Sequence, residues 1–191
     1  LCDFEDASFV DSNFENCNFY SKDTAKGCNF SRAILRGATF RNCNLSNTSF
    51  ERADMFQVEL HDCQVQGANF YLANFTIQIS RTKIMAQAVL KNCNFRYANF
   101  EGVYLEGCDL SDSHFVSVDF SNAVLDKCDL TNSTFSPSVL DGASILGVDF
   151  RNADIASLDI KNTDVSGIQI LEWQQTVLLE SLGIIVTPER R

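Results

Sequence analysis

Residues 93–120 read CNFRYANFEGVYLEGCDLSDSHFVSVDF, in which every fifth residue from Phe95 to Phe120 is large and apolar. Of the 29 positions at this spacing between Phe30 and Ile170, 28 are apolar, whereas the whole chain is 45% apolar. The series continues upstream, one residue out of phase, at Phe4, Phe9, Phe14 and Phe19. A period of five fits neither an α-helix nor a simple strand. The pattern therefore predicts a chain that points one large side chain inward every five residues.

A second inward position lies two residues before each large one, and it is small in most repeats. It is Ala or Ser at Ala7, Ser12, Ala33, Ala38, Ala53, Ala68, Ala73, Ala98, Ser113, Ala123, Ala143 and Ala153. Alternating large and small side chains fill a narrow interior. Internal repetition of this kind is typical of a solenoid, in which each repeat contacts only its neighbours.

The same small inward position holds every cysteine of the chain. The eight are Cys2, Cys17, Cys28, Cys43, Cys63, Cys93, Cys108 and Cys128. Buried thiols behave as small apolar groups. Thiols on successive coils, such as Cys43 and Cys63, would stack with parallel side chains, which is poor geometry for a disulfide. We therefore expect a structural role, with metal or redox chemistry as the minor alternative. Eight free thiols also suit the reducing cytoplasm.

Charge and hydropathy exclude several functions. No apolar run approaches the roughly 18 residues that a membrane span needs. The net charge of −10 argues against direct binding to nucleic acid or to an anionic membrane. Residues 1–95 carry 10 acids and 9 bases, whereas residues 96–191 carry 15 and 6, so the acidity belongs to one half. Because the repeat is already under way at Cys2 and Leu1 is not Met, we expect a short N-terminal stretch to precede this sequence.

The five-residue phase breaks first between Phe19 and Phe30, which are one residue further apart than two repeats. We place the extra residue in a polar segment, loop A, where Gly27 allows a sharp return. Loop A comprises Tyr20, Ser21, Lys22, Asp23, Thr24, Ala25, Lys26 and Gly27.

A second segment, loop B, keeps the phase but loses the pattern, because its inward residues would be Gln78, Ser80 and Lys83. A buried lysine would be costly, so this segment should leave the wall of the repeat. A protruding loop favours recognition of a partner; the alternative is a tolerated bulge without a role. Loop B comprises Ile77, Gln78, Ile79, Ser80, Arg81, Thr82, Lys83, Ile84, Met85, Ala86 and Gln87.

After residue 170 the repeat stops, and residues 171–182 predict a short helix ended by Gly183. One face should cap the last coil, because an open end exposes core and strand edges. The surplus apolar surface favours homodimerisation through this end, with a monomeric cap as the alternative. The dimerisation residues would be Leu171, Trp173, Leu178, Leu179, Leu182 and Ile184. We thus expect a repeat domain over 1–170 and a capping and dimerisation helix with its tail over 171–191.

The inward pairs resemble the A(D/N)LXX pattern of the pentapeptide-repeat family. In that family four repeats form one square coil, and coils stack into a right-handed quadrilateral parallel β-helix. The resemblance covers roughly residues 2–170, about eight coils. It implies an all-β rod about 40 Å long, with two protruding loops and a short C-terminal helix, at about 4.8 Å per coil.

Within this family the chain is similar to the quinolone-resistance (Qnr) group. The similar segments are KGCNFSRA (26–33), CQVQGANF (63–70) and LLESLGI (178–184), and both loops fall where that group has its two loops. The resemblance implies a cytoplasmic homodimer that binds bacterial type II topoisomerases, DNA gyrase first and topoisomerase IV second, and protects them from fluoroquinolones. Loops A and B would make the contacts. The alternative is a non-catalytic interaction scaffold with a different protein partner.

The Qnr group is often described as a DNA mimic, and charge density tests this. Duplex DNA carries one negative charge per about 1.7 Å. Residues 96–170 hold 12 acids and 4 bases, or one net charge per about 2.3 Å of rod. Residues four repeats apart share a column, so Asp109, Asp129 and Asp149 should form a ladder. The predicted acidic surface comprises Asp109, Asp119, Asp129, Asp149, Asp154 and Asp159; the alternative is a solvated face that serves solubility.

Nothing in the sequence favours catalysis. His61 and His114 are the two histidines, and both fall outside the inward positions without a nearby nucleophile pattern. Neither a Gly-rich phosphate loop nor a metal-spaced cluster is present. We therefore expect no enzyme activity, no cofactor and no metal.

Overall fold

The computed structural model describes residues 2–136, 139–156 and 158–187. Residues 1, 137–138 and 157 of the predicted repeat domain, and 188–191 of the predicted C-terminal segment, lie outside the described residues. The predicted fold is confirmed: the chain is an all-β, right-handed quadrilateral β-helix with two protruding hairpins and one short helix.

The strands are short because each side of a square coil holds only a few extended residues. They are β1 (Asn13–Glu15), β2 (Tyr20–Ser21), β3 (Lys26–Gly27), β4 (Thr39–Arg41), β5 (Val58–His61), β6 (Thr76–Ser80), β7 (Lys83–Ala86), β8 (Ala88–Lys91), β9 (His114–Phe115) and β10 (Thr134–Phe135), followed by helix α1 (Gln174–Ser181). Strands β1, β4, β5 and β8 form one parallel sheet in that order, and β9 pairs with β10 in parallel.

Parallel pairing stacks the outward residues into four faces, which we number along the chain from the face that contains β1. Face 1 holds Asn13, Thr39, Glu59, Val89, Asp109, Asp129, Asp149 and Gln169. Face 2 holds Asn18, Asn44, Gln64, Asn94, His114 and Thr134. Face 3 holds Asp3, Asn29, Ser49, Asn69, Asn99 and Asp119. Face 4 holds Ser8, Ile34, Asp54 and Asn74, and then Tyr104, Val124 and Ser144.

The sequence separation between stacked partners gives the true length of the loops. A coil without a loop gives a separation of 20. The separation rises to 26 between Asn16 and Asn42, which flank loop A, and to 30 between Asp62 and Asn92, which flank loop B. Loop A therefore inserts six residues, so the expectation of a single extra residue is wrong. Loop B inserts ten, which is two whole repeats and leaves the phase unchanged. For this reason Met85 falls on the five-residue series although it is 38% exposed on the hairpin.

The interior is a continuous stack of the predicted large side chains. The rings of Phe30, Phe50, Phe70, Phe100 and Phe120 lie in one column, with successive centroids 5.5, 5.0, 4.4 and 5.3 Å apart. All five rings are buried. Offset stacks of this kind add to the stabilisation that comes from burial of apolar area. The large and small inward positions thus fill the coil, and recognition can use only the outer surface.

Many of the corner turns are supported by an outward Asn or Asp. The side-chain oxygen of Asn29 accepts a hydrogen bond from the Ser31 N–H (3.0 Å), and that of Asp109 accepts one from the Ser111 N–H (2.9 Å). These are Asx turns, in which the side chain satisfies a backbone donor of the turn. Asn and Asp are structurally equivalent in this role, because only one acceptor oxygen is used.

The C-terminal helix begins at Gln174 rather than at Leu171, where the sequence predicts its start. Residues 171–173 form a turn instead, in which the Leu171 N–H donates to the side-chain oxygen of Gln174 (2.8 Å). Gly183, at φ +80°, ends the helix as predicted, and the Ile184 N–H donates to the Leu179 carbonyl (3.1 Å). Within the described residues no helix has the length and apolar character needed to cross a membrane.

Candidate partner-binding surface

Loop A is an antiparallel hairpin that leaves the corner between faces 2 and 3. Tyr20 pairs with Gly27 and Ser21 pairs with Lys26. The side-chain amide of Asn47 donates to the Ala25 carbonyl (2.9 Å), so the loop is tied to the next coil. Only glycine fits at position 27, because a Cβ there would lie 2.3 Å from the Asn47 backbone. Lys22 and Lys26 are exposed, and neither forms an ion pair with a described residue.

Loop B forms the larger hairpin, β6–β7, at the corner between faces 4 and 1. Ile77 pairs with Met85 and Gln78 pairs with Ile84, with a bulge before Ser80. Gln78, Ser80 and Lys83, the polar residues at inward positions of the five-residue pattern, all lie on the hairpin and are exposed. Ile79 and Ile84 are exposed as well, by 50% and 41%, whereas Ile77 is half-buried.

Phe56 lies at the base of loop B, a position that the five-residue pattern does not predict. It is an outward corner residue, yet it is only 6% exposed and lies outside the interior core. In the next coil, loop B leaves the wall at this corner. The Gln57 N–H donates to the Gln87 carbonyl (2.8 Å), and the two side-chain amides are hydrogen-bonded (3.2 Å), so the base of the hairpin lies beside Phe56. The available signal was that Phe56 is the one Phe outside the five-residue series.

The six predicted acidic residues are distributed over three faces and the last coil. Asp109, Asp129 and Asp149 are stacked in register on face 1, as predicted. Asp119 lies on face 3. Asp154 follows Thr134 on face 2, where its N–H donates to the Ser133 carbonyl (3.0 Å). Asp159 belongs to the last coil, and its carboxylate accepts a hydrogen bond from Asn162 (2.6 Å) that lowers its pKa.

Cations neutralise part of this acidic surface. Arg151 contacts Asp149 (2.6 Å), and this hydrogen-bonded ion pair lowers the pKa of the Asp149 carboxyl. Lys127 contacts Glu106 (2.5 Å) and lowers its pKa, while Glu106 in turn raises the pKa of the hydrogen-bonded Tyr104 to about 12. Among the described residues, no cation pairs with Asp109 or Asp129. The centre of the ladder therefore has two carboxylates without an ion-pair partner in the described chain.

The charge of the ladder is not required by the fold. All six predicted acidic residues accept the N–H of the residue two places on, as at Asp129 and Thr131 (2.9 Å). Asn performs the same task in the N-terminal half, as at Asn69 and Tyr71 (3.0 Å). The change from Asn to Asp along the rod thus adds charge without changing the turn.

Most predicted dimerisation residues remain accessible at the C-terminal end. Leu178 is buried in the core cluster and Leu171 is half-buried, whereas Trp173 is 59% exposed. Leu179, Leu182 and Ile184 are also exposed, by 36 to 47%. A shallow groove of about 320 Å³ runs between the helix and face 2, and its lining includes Ile155, Trp173 and Val177. The helix therefore leaves apolar area uncovered in the single chain.

The two histidines and six of the eight cysteines are engaged in the structure or buried in it. His61 contacts Glu59 (3.0 Å) and His114 contacts Thr134 (2.8 Å). Burial raises the pKa of the Cys43 thiol to about 11 and that of Cys108 to about 12, so neither is a ready nucleophile. Across the described residues, no three His, Cys, Asp or Glu side chains are grouped to hold a metal ion.

Comparison with known proteins agrees with this architecture. The family model described as "Pentapeptide repeat region" matches residues 1–100, and a model described as "Pentapeptide repeats (8 copies)" matches residues 113–144. A solved structure of QnrB1, described as a plasmid-mediated fluoroquinolone resistance protein, superposes with a TM-score of 0.92 at 35% identity. That match covers 98% of this chain and 87% of QnrB1.

Two curated relatives are similar in sequence. The quinolone resistance pentapeptide repeat protein QnrB96 of Scandinavium goeteborgense is 38% identical over 115 residues, which is 60% of this chain and 54% of that protein. The pentapeptide repeat protein QnrB4 of Escherichia coli is 35% identical over 122 residues, which is 64% and 57% of the two chains. The alignments thus span somewhat more than half the length of these relatives.

Proposed function

This chain belongs to the quinolone-resistance (Qnr) group of the pentapeptide-repeat family, and we propose that it confers quinolone resistance by protecting a bacterial type II topoisomerase from fluoroquinolones. DNA gyrase is the proposed first target and topoisomerase IV the second. The protein would act in the cytoplasm as a partial DNA mimic without chemistry of its own. The observation that carries the proposal is the near-complete superposition on a fluoroquinolone resistance protein, with a TM-score of 0.92 over 98% of the chain.

The acidic ladder supports the mimicry. Asp109 and Asp129 stack in register, and neither is paired with a described cation. Stacked like charges disfavour the free rod, and a basic surface on the partner would relieve them. Since Asn could support the same turns, the carboxylates are free to serve recognition. A DNA-binding surface of the enzyme offers a basic region of this kind.

The two hairpins, unlike the acidic ladder, carry several positively charged side chains. Their four cations, Lys22, Lys26, Arg81 and Lys83, form no ion pair within the described chain. Loop B adds the exposed apolar side chains Ile79 and Ile84. We assign the acidic ladder to the DNA-binding surface of the topoisomerase and the hairpins to its flanking domains, so that binding is bipartite.

Homodimerisation through the C-terminal end completes the proposal. The exposed Trp173, Leu182 and Ile184 would be covered by a second copy. Two acidic halves would then abut, which would double the length of the acidic surface. Sedimentation of the wild type and of a Trp173→Ser variant tests this step, because loss of the apolar contact should favour the monomer.

A supercoiling assay with DNA gyrase and ciprofloxacin tests the protective function. We expect the wild type to restore supercoiling in the presence of the drug. Deletion of residues 77–86 removes the ten inserted residues and restores a coil of ordinary length, so the rod should fold while protection is lost. Deletion of residues 20–25 does the same for loop A. If wild-type protein leaves inhibition by the drug unchanged, the proposed function is wrong.

Binding of gyrase should also weaken as salt is raised, because surface charges are screened within about 8 Å at physiological ionic strength. If the affinity for gyrase does not change with salt, the proposed electrostatic contact of the acidic ladder is wrong, whereas the proposed hairpin contacts are unaffected. Quinolone recovered from the assay should keep its mass, since the protein is not expected to modify the drug.

A further inference from the structure

One side of the rod is free of carboxylates over several coils. This side, which we call the amide edge, consists of face 2 from Asn44 to His114, face 3 from Asn29 to Asn99, and the corner between these faces. Other sides bear acidic residues in the same coils, such as Glu59 on face 1 and Asp54 on face 4. The amide edge instead presents the side chains of Asn, Gln and Ser. The charge asymmetry thus runs around the rod as well as along it.

The cations on this edge are not neutralised. Arg96 lies at the corner itself and is exposed, and it forms no ion pair with any described residue. Loop A leaves the same corner and contributes Lys22 and Lys26 against one acid, Asp23. By contrast, the four arginines at the other three corners of the N-terminal coils all contact carboxylates: Arg32, Arg36, Arg41 and Arg52. The amide edge therefore has a net positive charge that its own surroundings do not cancel.

Tyr97 stands beside Arg96 in a backbone conformation that favours smaller residues. Its φ is +62° and its side chain is 60% exposed. The stacked corner residues before it are Asn47 and Gly67, which suit positive φ. Other large residues, such as Arg32 and Leu72, share this corner conformation, so the position is set apart by the exposure of the Tyr97 ring beside Arg96. An exposed tyrosine is also well suited to the centre of a protein interface.

We propose that the amide edge is a second contact surface, which binds an acidic segment of the partner protein through Arg96, Tyr97 and the flanking amides. The proposal rests on the proposed function, since the partner is taken to be the same topoisomerase. The Arg96 guanidinium can bind a carboxylate with two hydrogen bonds. The amide N–H groups and the Tyr97 hydroxyl can donate further hydrogen bonds to carboxylate or carbonyl oxygens.

An acidic protein surface fits this edge better than DNA. Three unpaired cations, Lys22, Lys26 and Arg96, could neutralise only about three phosphates, which gives only weak binding to a duplex. The protein as a whole, with a net charge of −10, would repel a long polyanion. A compact acidic patch on a folded protein meets the positive edge without lying along the negative faces.

The experiment measures the affinity of the whole 191-residue chain for the gyrase holoenzyme, with and without bound DNA. The test variant combines Arg96→Gln with Tyr97→Asn. We expect its affinity to fall about tenfold while its melting temperature stays equal to or above that of the wild type, because asparagine tolerates positive φ. The control is Asn122→Gly, which relaxes a similar exposed backbone position (φ +59°) at another corner and should leave affinity unchanged. Arg96→Glu, which leaves Tyr97 in place, should weaken binding further.

The outcomes separate this inference from the proposed function. If the wild type binds gyrase and both edge variants bind equally well, the amide edge is not a contact and only this inference is overturned. If the wild type does not bind gyrase, both proposals fall. If the variants lose affinity only when DNA is bound to the enzyme, the edge contacts DNA and its assignment to acidic protein is wrong.

Discussion

The side-chain nitrogen of Gln174 lies 2.9 Å from the carbonyl oxygen of Phe150 and donates a hydrogen bond to it. The same nitrogen donates to the Ala153 carbonyl (2.9 Å), and the side-chain oxygen accepts from the N–H groups of Leu171 (2.8 Å) and Asn152 (3.3 Å). Gln174 is fully buried. One amide thus replaces the backbone partners that a further coil would supply, and this contact seals the end of the rod.

Replacing Gln174 with Leu should destabilise the protein by about 2–4 kcal/mol, because the Ala153 carbonyl and the N–H groups of Leu171 and Asn152 would lose the partner that Gln174 supplies. Thermal melts would show the loss, and hydrogen exchange should locate it in α1 and the last coil. Gln175→Leu is the matched control, since residue 175 is exposed on the same helix and should change the melting temperature little. Equal stability of the two variants would contradict the sealing role.

Truncating Phe56 should free the base of loop B. The Phe56→Ala variant loses a buried ring outside the interior, so the rod should remain folded while trypsin cleaves faster at Arg81 and Lys83. Val10→Ala, at the same corner but 48% exposed, is the control and should leave the rate unchanged. Identical cleavage of both variants and the wild type would mean that Phe56 does not support the hairpin.

Neutralising the centre of the acidic ladder should leave stability intact. Asp109→Asn with Asp129→Asn preserves both Asx turns and removes a repulsion worth about 0.2–1 kcal/mol, so the melting temperature should hold or rise slightly. The association rate with gyrase should fall, and so should its salt dependence. Asp129→Ala, by contrast, should lower the melting temperature, because the Thr131 N–H loses its acceptor. A drop in stability of the Asn variant as large as that of Asp129→Ala would refute the equivalence of Asn and Asp.

Thiol reactivity should follow burial. Cys2 is exposed and Cys17 is half-buried in the first described coil, whereas the other six cysteines are buried and all eight are free. Titration of the native protein with Ellman's reagent should therefore detect two thiols at neutral pH, and all eight after denaturation. Cys43 and Cys108 should stay protected up to mildly alkaline pH, because burial raises their pKa values. Rapid reaction of more than two thiols in the native protein would contradict this burial.

The ion pair of Asp149 with Arg151 should contribute to stability only above acid pH. The pKa of folded Asp149 is lowered below its unfolded value of about 3.9. Its stabilisation is therefore present above that pH and is lost as the pH falls through the folded pKa. The melting temperature of Arg151→Gln should lie only slightly below that of the wild type at pH 7, because solvent screens an exposed guanidinium. The two melting curves should converge in strong acid, and a difference that persists there would exclude this pair as its source.

Most of the fold can be predicted from the sequence, because the core repeats the same packing in every coil along the rod. Each repeat places the same large and small side chains in the same environment, so Phe30 and Phe120 predict the same local structure. The register of the Asp109, Asp129 and Asp149 ladder follows from the same period. The phase of the repeat, however, gives the length of an insertion only up to multiples of five. The six residues of loop A therefore look like one, and the ten residues of loop B produce no phase shift at all.

The contacts at the surface and at the end are less predictable. Gln174 acts on backbone carbonyls of the preceding coil, far from it in sequence, and no local pattern distinguishes it from the exposed Gln175. Ion pairing is equally non-local, since Lys127 meets Glu106 in the preceding coil. Phe56 could have been found, because a large aromatic residue outside the repeat needs some cover. The start of the helix is hidden in the sequence, because Leu171 and Trp173 in the preceding turn continue the apolar pattern of the helix.

The two hairpins leave the square coil at diagonally opposite corners. A flat surface that touches one of them must therefore miss the other, because the width of the rod stands between them. Any single body that engages both has to be concave, or has to close around more than half the circumference with two arms. Most proteins, whatever their charge, could therefore not contact both hairpins at once. The geometry favours a partner that already opens and closes around a rod-shaped ligand.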